Sequence, residues 1–378
     1  MSAPDATRAT GAHPPRVPEQ HPGLRSLAPF RQGKSTLDDH VNPIKLSANE
    51  SHHGPSPLAV EAYRNHSGQL YRYPDGAQSE LRRAIAETFG LRVEGIICGN
   101  GSDELLQLLI RAYVRPGDDV VFSRHSFAMA VVHATAQGAR IVTADEPELR
   151  PDTDSLLAAM TPRTRAVIIA SPNNPVGRYL PRAELERLRR GLPAETVLIV
   201  DAAYADYVDA EDFEPGQALV DAGSNTVMTR TFSKLYGLAG LRIGWMYGPP
   251  NIVDAVERIR TPFSASADAM AAATAAVRDV RYTQSVRDYN TAQLRHIAAG
   301  VTAMGAGIEF LTSYANFYLL RFTGDRHTAE GAAQALERHG IIPRPVAAGG
   351  PARCLRITVG LQHENDAVLG VLADYMAH

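Results

Sequence analysis

The sequence predicts an α/β protein: a mostly parallel sheet in a large domain, followed by a smaller α+β domain at the C-terminal end. Two observations carry this. Short apolar runs rich in β-branched residues alternate with helix-length segments, the mark of buried strands covered by helices on both faces. Beyond residue 250 the pattern changes to a long helical stretch and then two strand-like runs, each followed by a helix.

In chain order, residues 1–45 are rich in Pro, Ala, Gly and charge without a sustained period, and read as a flexible tail and N-terminal arm. The large domain is expected over 46–265. It opens with a helix over Gln78 to Phe89, the run Gly95-Ile-Ile-Cys98 and a second helix from Ser102 to Val114. The strand-like runs that follow are Asp119-Val-Val-Phe122, Ala139-Arg-Ile-Val142, Ala166-Val-Ile-Ile-Ala170, Val197-Leu-Ile-Val200 and Val227-Met-Thr229. A helical stretch from about Asn251 to Met304 is expected to leave the sheet for a second layer. The small domain, 266–378, holds Phe317 to Phe322, a helix near Ala329 to His339, Cys354 to Val359 and a last helix after Glu364.

Composition narrows the function classes. The chain has 378 residues, 44% hydrophobic and 21% charged, with 38 basic against 41 acidic residues and no polybasic patch, so a nucleic-acid partner is not expected. Cys98 and Cys354 lie far apart and outside any CxxC pattern, which excludes a disulfide scaffold and suggests a reducing compartment. No signal-peptide core or membrane-length apolar run is present, so no membrane partner and a cytoplasmic location are expected. Thirteen scattered histidines, with His52-His53 followed by Gly-Pro, offer no metal-ligand spacing, and no metal is expected.

Lys234 is the first candidate for chemistry. It stands where a strand ends, with hydroxyls at Thr231 and Ser233 and an arginine at Arg242 after small and apolar residues. A desolvated lysine near other cations loses its proton readily and attacks carbonyls, while hydroxyls and a guanidinium hold phosphate. Gly99-Asn-Gly-Ser102-Asp103 links a strand to a helix; it is either a turn or an anion site at a helix N-terminus. Ser171-Pro-Asn-Asn174-Pro175 is a common turn, and also a rigid mount for the Asn174 amide, able to donate to a phenolate oxygen. Asp201, which ends an apolar strand, is either a helix N-cap or the partner of a protonated ring nitrogen; Tyr204 is either a packing residue or a phenolate contact. Taken together these sites describe one ligand: a phosphate at Ser102, Ser233 and Arg242, a pyridinium at Asp201, a phenolate at Asn174 and Tyr204, and an aldehyde at Lys234. Pyridoxal 5'-phosphate carries those four groups.

The chain resembles the fold-type I pyridoxal-phosphate enzymes, within them the class II aminotransferases close to histidinol-phosphate aminotransferase. The matching strings are Tyr73-Pro-Asp-Gly76, Gly99-Asn-Gly-Ser-Asp-Glu104, Ser171-Pro-Asn-Asn-Pro175, the Asp201 and Tyr204 pair, Thr231-Phe-Ser-Lys234, Ala239-Gly-Leu-Arg-Ile-Gly244 and Cys354-Leu-Arg-Ile-Thr-Val-Gly360. The resemblance spans nearly everything after the tail. It implies the fold-type I PLP-dependent transferase fold and a homodimer, with Lys234 bonded to the cofactor and later moving a proton. It also implies cofactor contacts at Asp103 and Thr231, Phe127 stacked on the pyridine ring, and Tyr73 reaching the cofactor phosphate of the neighbouring subunit. Arg356 resembles the family arginine that clamps the substrate carboxylate or its equivalent, and Arg344 the one that meets the substrate phosphate.

The expected reaction is transamination of histidinol phosphate with 2-oxoglutarate, an amino donor and a 2-oxo acid acceptor, as in histidine biosynthesis. The alternatives are an aromatic amino acid aminotransferase, a threonine-phosphate-type decarboxylase on the same scaffold, and a noncatalytic cofactor-binding module. The arm departs from the family pattern: Asn49-Glu-Ser-His-His-Gly54 stands where Asn-Glu-Asn-Pro is usual, which bears on specificity.

Overall fold

The computed structural model describes residues 18–29, 33–223, 225–346 and 350–378. Of the expected tail and arm, 1–45, residues 1–17 and 30–32 lie outside the described residues. The strands are β1 (Ile44–Lys45), β2 (Ile96–Gly99), β3 (Asp119–Ser123), β4 (Arg140–Ala144), β5 (Thr164–Ala170), β6 (Val197–Asp201), β7 (Thr226–Thr231), β8 (Gly244–Tyr247), β9 (Ile308–Leu311), β10 (Phe317–Phe322), β11 (Ile341–Ile342), β12 (Arg344–Pro345) and β13 (Cys354–Thr358).

Seven strands form the large sheet in the order β2-β8-β7-β6-β5-β3-β4, all parallel except β8, which runs against both its neighbours. The interior strands β3, β6 and β7 are buried at every residue, whereas β4, at the sheet edge, is exposed at Arg140 and Thr143. Side chains alternate between the two faces, as the pleat requires. Val120, Phe122, Ile168 and Ile199 pack with Leu105 and Leu109 of the helix Ser102–Tyr113, while Val121, Val167, Leu198 and Val200 pack with Leu185 and Leu188 of the helix Arg182–Gly191.

β8 carries no strand signal of its own in the sequence, because Gly-Trp-Met-Tyr is short and follows directly on a glycine-rich turn; its antiparallel pairing inserts it between β2 and β7. The helical stretch Asn251 to Met304 is three helices, Pro250–Glu257, Ala267–Arg278 and Val280–Ala303. Ser266 and Asp279 start the second and third by accepting the amides of Ala269 and Tyr282 on their side chains. The second helix does not leave the large sheet. Its Met270, Ala272 and Ala273 share a core with Ile243, Trp245 and Tyr247. Only the third reaches the C-terminal unit, where Ile297 and Val301 pack with Tyr318, Leu320, Leu336 and Leu355.

That unit is an antiparallel sheet in the order β12-β13-β10-β9, covered by the helices Ala329–Arg338 and Gln362–Ala377. The arm joins it through β1, parallel to β11. Leu46 donates its amide to the Ile342 carbonyl and accepts the Thr358 amide on its own, which delivers Ser47 to Asn49 to the C-terminal edge of the large sheet.

Candidate active site

β5, β6 and β7 end side by side, with Ala170 opposite Asp201 and Asp201 opposite Thr229. The loops beyond such ends meet helix N-termini and form the usual ligand crevice of open α/β sheets.

At one end of the crevice Gly101, with φ of +86°, precedes the helix Ser102–Tyr113. A Cβ at Gly101 would come within 2.8 Å of the Arg242 guanidinium, and one at Gly244 within 2.5 Å of the Ser102 amide nitrogen. Only glycine at both positions lets a strand and a guanidinium close on the first helical turn. Arg242 Nη1 donates to Ser233 Oγ at 3.2 Å, and the Ser233 amide donates to Thr231 Oγ1 at 3.1 Å, so Thr231 fixes the turn that presents Ser233. Free helix amides, a hydroxyl and a guanidinium make a dianion cradle. Asp103, in the first turn, has its carboxylate 3.1 Å from His133 Nε2, which leaves its backbone amide as the group offered to an anion.

Asp201 forms the floor. Burial pushes its carboxyl up to about 6; hydrogen bonds from the Thr229 hydroxyl, at 3.3 Å, and the Ala203 amide work in the opposite direction, as does the charge of Lys234, while Asp103 adds to the rise. It is not an N-cap, since the short turn that follows, Ala205–Tyr207, has no side-chain cap. Its hydrogen bonds come from neutral groups, so the site suits a ligand that brings its own positive charge.

Lys234 lies past the end of β7, its Nζ 3.4 Å from the Ala48 carbonyl and 5.7 Å from the centre of the Tyr204 ring. The sequence contains three lysines, and the other two are engaged elsewhere, Lys34 with Glu337 and Lys45 with Glu50. Tyr204 is buried edge-on against Phe317, and its hydroxyl accepts from Asn49 Nδ2 at 2.8 Å. The double-asparagine turn divides its tasks: Asn173 Oδ1 accepts the Arg178 amide, while Asn174 Oδ1 accepts from Arg356 Nη1 at 2.6 Å. With its oxygen taken, Asn174 is left with its NH2 as a donor.

Arg356 also donates to the Ser47 carbonyl at 2.8 Å, and its Nε is buried without a protein acceptor. Burial, with repulsion from Arg344 adding to it, lowers the guanidinium to about 10, still charged at neutral pH. Arg344 faces Arg356 across the β12 and β13 pairing and lies against Gly33. The structure therefore brings Ser102, Asp103, Asn174, Asp201, Tyr204, Thr231, Ser233, Lys234, Arg242 and Arg356 onto adjoining strand ends and turns, with Arg344 on the neighbouring strand. Phe127 immediately precedes the helix Ala128–Ala136 and is half-buried against the core that holds Leu105 and Leu109. Tyr73 is set apart: it is 82% exposed and stacks on Phe263 at 4.6 Å.

Sequence reasoning missed Asn49 and Thr358, whose partners lie hundreds of residues away and leave no local pattern. The one signal for Asn49 was its place in the departing arm motif.

A lysine past a central strand, a carboxylate on the sheet floor and a glycine-lined anion cradle define a site for a phosphorylated, carbonyl-bearing cofactor. The family model for aminotransferase class I and II matches residues 41–371, and the chain belongs to that family. It is 43% identical to a histidinol-phosphate aminotransferase of Paramagnetospirillum magneticum, covering 95% of this chain and 99% of that protein, and 44% identical to one of Rhodospirillum centenum, with 95% and 99% covered. Among solved structures, the histidinol-phosphate aminotransferase of Sinorhizobium meliloti in complex with pyridoxal-5'-phosphate superposes with a TM-score of 0.87 at 31% identity, covering 96% of this chain and 98% of that one. Aspartate aminotransferase from Thermus thermophilus with maleate, at 24% identity and TM-score 0.77 over 88% and 91%, shares the fold.

Proposed function

We propose that this chain transfers the amino group of histidinol phosphate to 2-oxoglutarate with pyridoxal 5'-phosphate as cofactor. The observation that carries the substrate is the facing pair Arg344 and Arg356, joined to Lys234 through consecutive arm residues Ser47 and Ala48. Two guanidiniums on neighbouring strands, separate from the Arg242 cradle, suit a second anion: the phosphate of the donor in one half-reaction and a carboxylate of the oxo acid in the other.

The residues fit the cofactor. Ser102, the Asp103 amide, Ser233 and Arg242 would hold its phosphate, Asp201 its ring nitrogen, Asn174 and Tyr204 its phenolic oxygen, and Phe127 one ring face. When bound, the cofactor supplies a carbonyl that takes up the amino group and a cationic ring that accepts the electron pair released at the substrate carbon. Asp201 holds the positive charge of that ring, and its own burial strengthens the pairing. Lys234 Nζ, mobile on its long stem and free of any carboxylate partner, takes and returns the proton at the substrate carbon. Arg356 holds the substrate while Asn174 fixes the guanidinium plane.

Tyr73, exposed beside exposed Leu70 and Tyr71, supports a homodimer in which this aromatic patch is covered and Tyr73 serves the neighbouring site. Among the described residues no helix is long and apolar enough to cross a membrane, and the two free, buried cysteines, Cys98 and Cys354, support a cytoplasmic location. The test is a donor panel with 2-oxoglutarate, reading glutamate formed from histidinol phosphate, histidinol, phenylalanine, tyrosine and threonine phosphate. Histidinol phosphate is expected to lead. Equal rates with histidinol would reject the phosphate role of Arg344, and carbon dioxide released from threonine phosphate would indicate the lyase.

A further inference from the structure

Three consecutive arm residues each touch a different functional side chain. The Ser47 carbonyl accepts from Arg356, the Ala48 carbonyl from Lys234, and Asn49 Nδ2 donates to the Tyr204 hydroxyl at 2.8 Å. We propose that Asn49 is a positioning residue for the reaction: by donating to the Tyr204 oxygen it turns the phenol proton toward the cofactor's phenolic oxygen. The inference rests on the cofactor reading above.

Asn49 is built for this. It is 1% exposed and has φ of +55°, a left-handed conformation that asparagine tolerates better than most residues. Four hydrogen bonds set its orientation. Its amide donates to Thr358 Oγ1 at 3.0 Å, its carbonyl accepts from Asn316 Nδ2 at 3.1 Å, Thr358 Oγ1 donates to its Oδ1 at 3.3 Å, and Nδ2 reaches Tyr204. The Thr358 hydroxyl, with a lone pair occupied by the Asn49 amide, has its proton to give, and that proton makes Oδ1 the end facing β13 and Nδ2 the end facing Tyr204. The Tyr204 hydroxyl is then an acceptor toward Asn49 and a donor elsewhere, and hydrogen bonds in series polarise one another, so Asn49 strengthens the bond that Tyr204 gives. Lys234, over the Tyr204 ring, Arg356 and Tyr207 are the ionisable groups that interact with it among the described residues. The arm and the β13 edge thereby set the electronics of the ring from one side, as Asp201 does from the other.

A donor to the phenolic oxygen withdraws negative charge from it and makes the adjoining Lys234-bound nitrogen less basic. The readout is the pH midpoint of the bound cofactor's absorbance in the holoenzyme, measured without substrate. Asn49→Ala is expected to raise that midpoint by on the order of half a pH unit, and Thr358→Val, which releases Oδ1, to raise it in the same direction by less. In a Tyr204→Phe background neither change should move the midpoint further. An unchanged midpoint in folded, coloured Asn49→Ala or Thr358→Val enzyme, or a shift of equal size with and without the Tyr204 hydroxyl, would overturn the inference while leaving the proposed function intact. A parent enzyme that binds no cofactor would overturn both.

Discussion

Arg344 stands directly opposite Arg356 in the antiparallel pairing of β12 with β13, two like charges on facing positions of a small sheet. Like charges directly opposite each other destabilise a sheet, and here one partner is also largely desolvated. An anion bound between the two guanidiniums, as proposed for the substrate, would offset this cost.

Arg344→Gln is therefore expected to leave thermal stability unchanged or slightly raised. At the same time it should increase KM for a phosphorylated donor about 10–100-fold, the loss of one charge-assisted contact. Melting curves beside steady-state kinetics check both halves; a lower Tm with unchanged KM would give Arg344 a structural role instead.

Asp201 carries the second prediction. Its carboxyl is raised from 3.8 to about 6 by burial, so between those pH values the unfolded chain releases this proton first and apoenzyme stability falls as pH rises. The loss approaches on the order of 3 kcal/mol above pH 6 and is absent below about pH 4. Asp201→Asn should stabilise the apoenzyme at pH 7.5, give no gain at pH 4, and severely slow turnover of the holoenzyme. Denaturant unfolding at the two pH values measures it.

The glycines of the cradle give a third. Gly244→Ala would place a methyl against the Ser102 amide and against backbone atoms of Gly101 and Arg230, none of which can swing aside. The helix start must then move away from β8, and cofactor affinity should fall by at least about tenfold, or 1.4 kcal/mol, as read by fluorescence titration. Retained affinity would remove Ser102 from the phosphate site.

Lys234→Ala should keep the fold, because Lys234 is half-buried and its side-chain hydrogen bond, to the Ala48 carbonyl, is long at 3.4 Å. Circular dichroism should match the parent while transamination is lost.

How much of this was legible in the sequence follows from the range of the forces involved. Strands buried on both faces write themselves as uniform apolar runs, so β3, β5 and β6 are visible locally, as are the glycine and proline turns that carry Ser102, Asn174 and Lys234. The break of the long helical stretch depended on Ser266 and Asp279 capping new helices, a signal weaker than the alanine-rich helical composition around it. β8 owes its strand state to pairing partners on both sides. The Asn49 contact with Tyr204 and the facing of Arg344 by Arg356 are tertiary, and neither spacing nor composition encodes them.

The central claim is that Lys234 bonds to pyridoxal 5'-phosphate. With three lysines in the chain, borohydride reduction of the reconstituted enzyme followed by peptide mass spectrometry decides it. One reduced cofactor adduct is expected, on the peptide containing Lys234. Protein left unmodified, or an adduct on Lys34 or Lys45 alone, would contradict it.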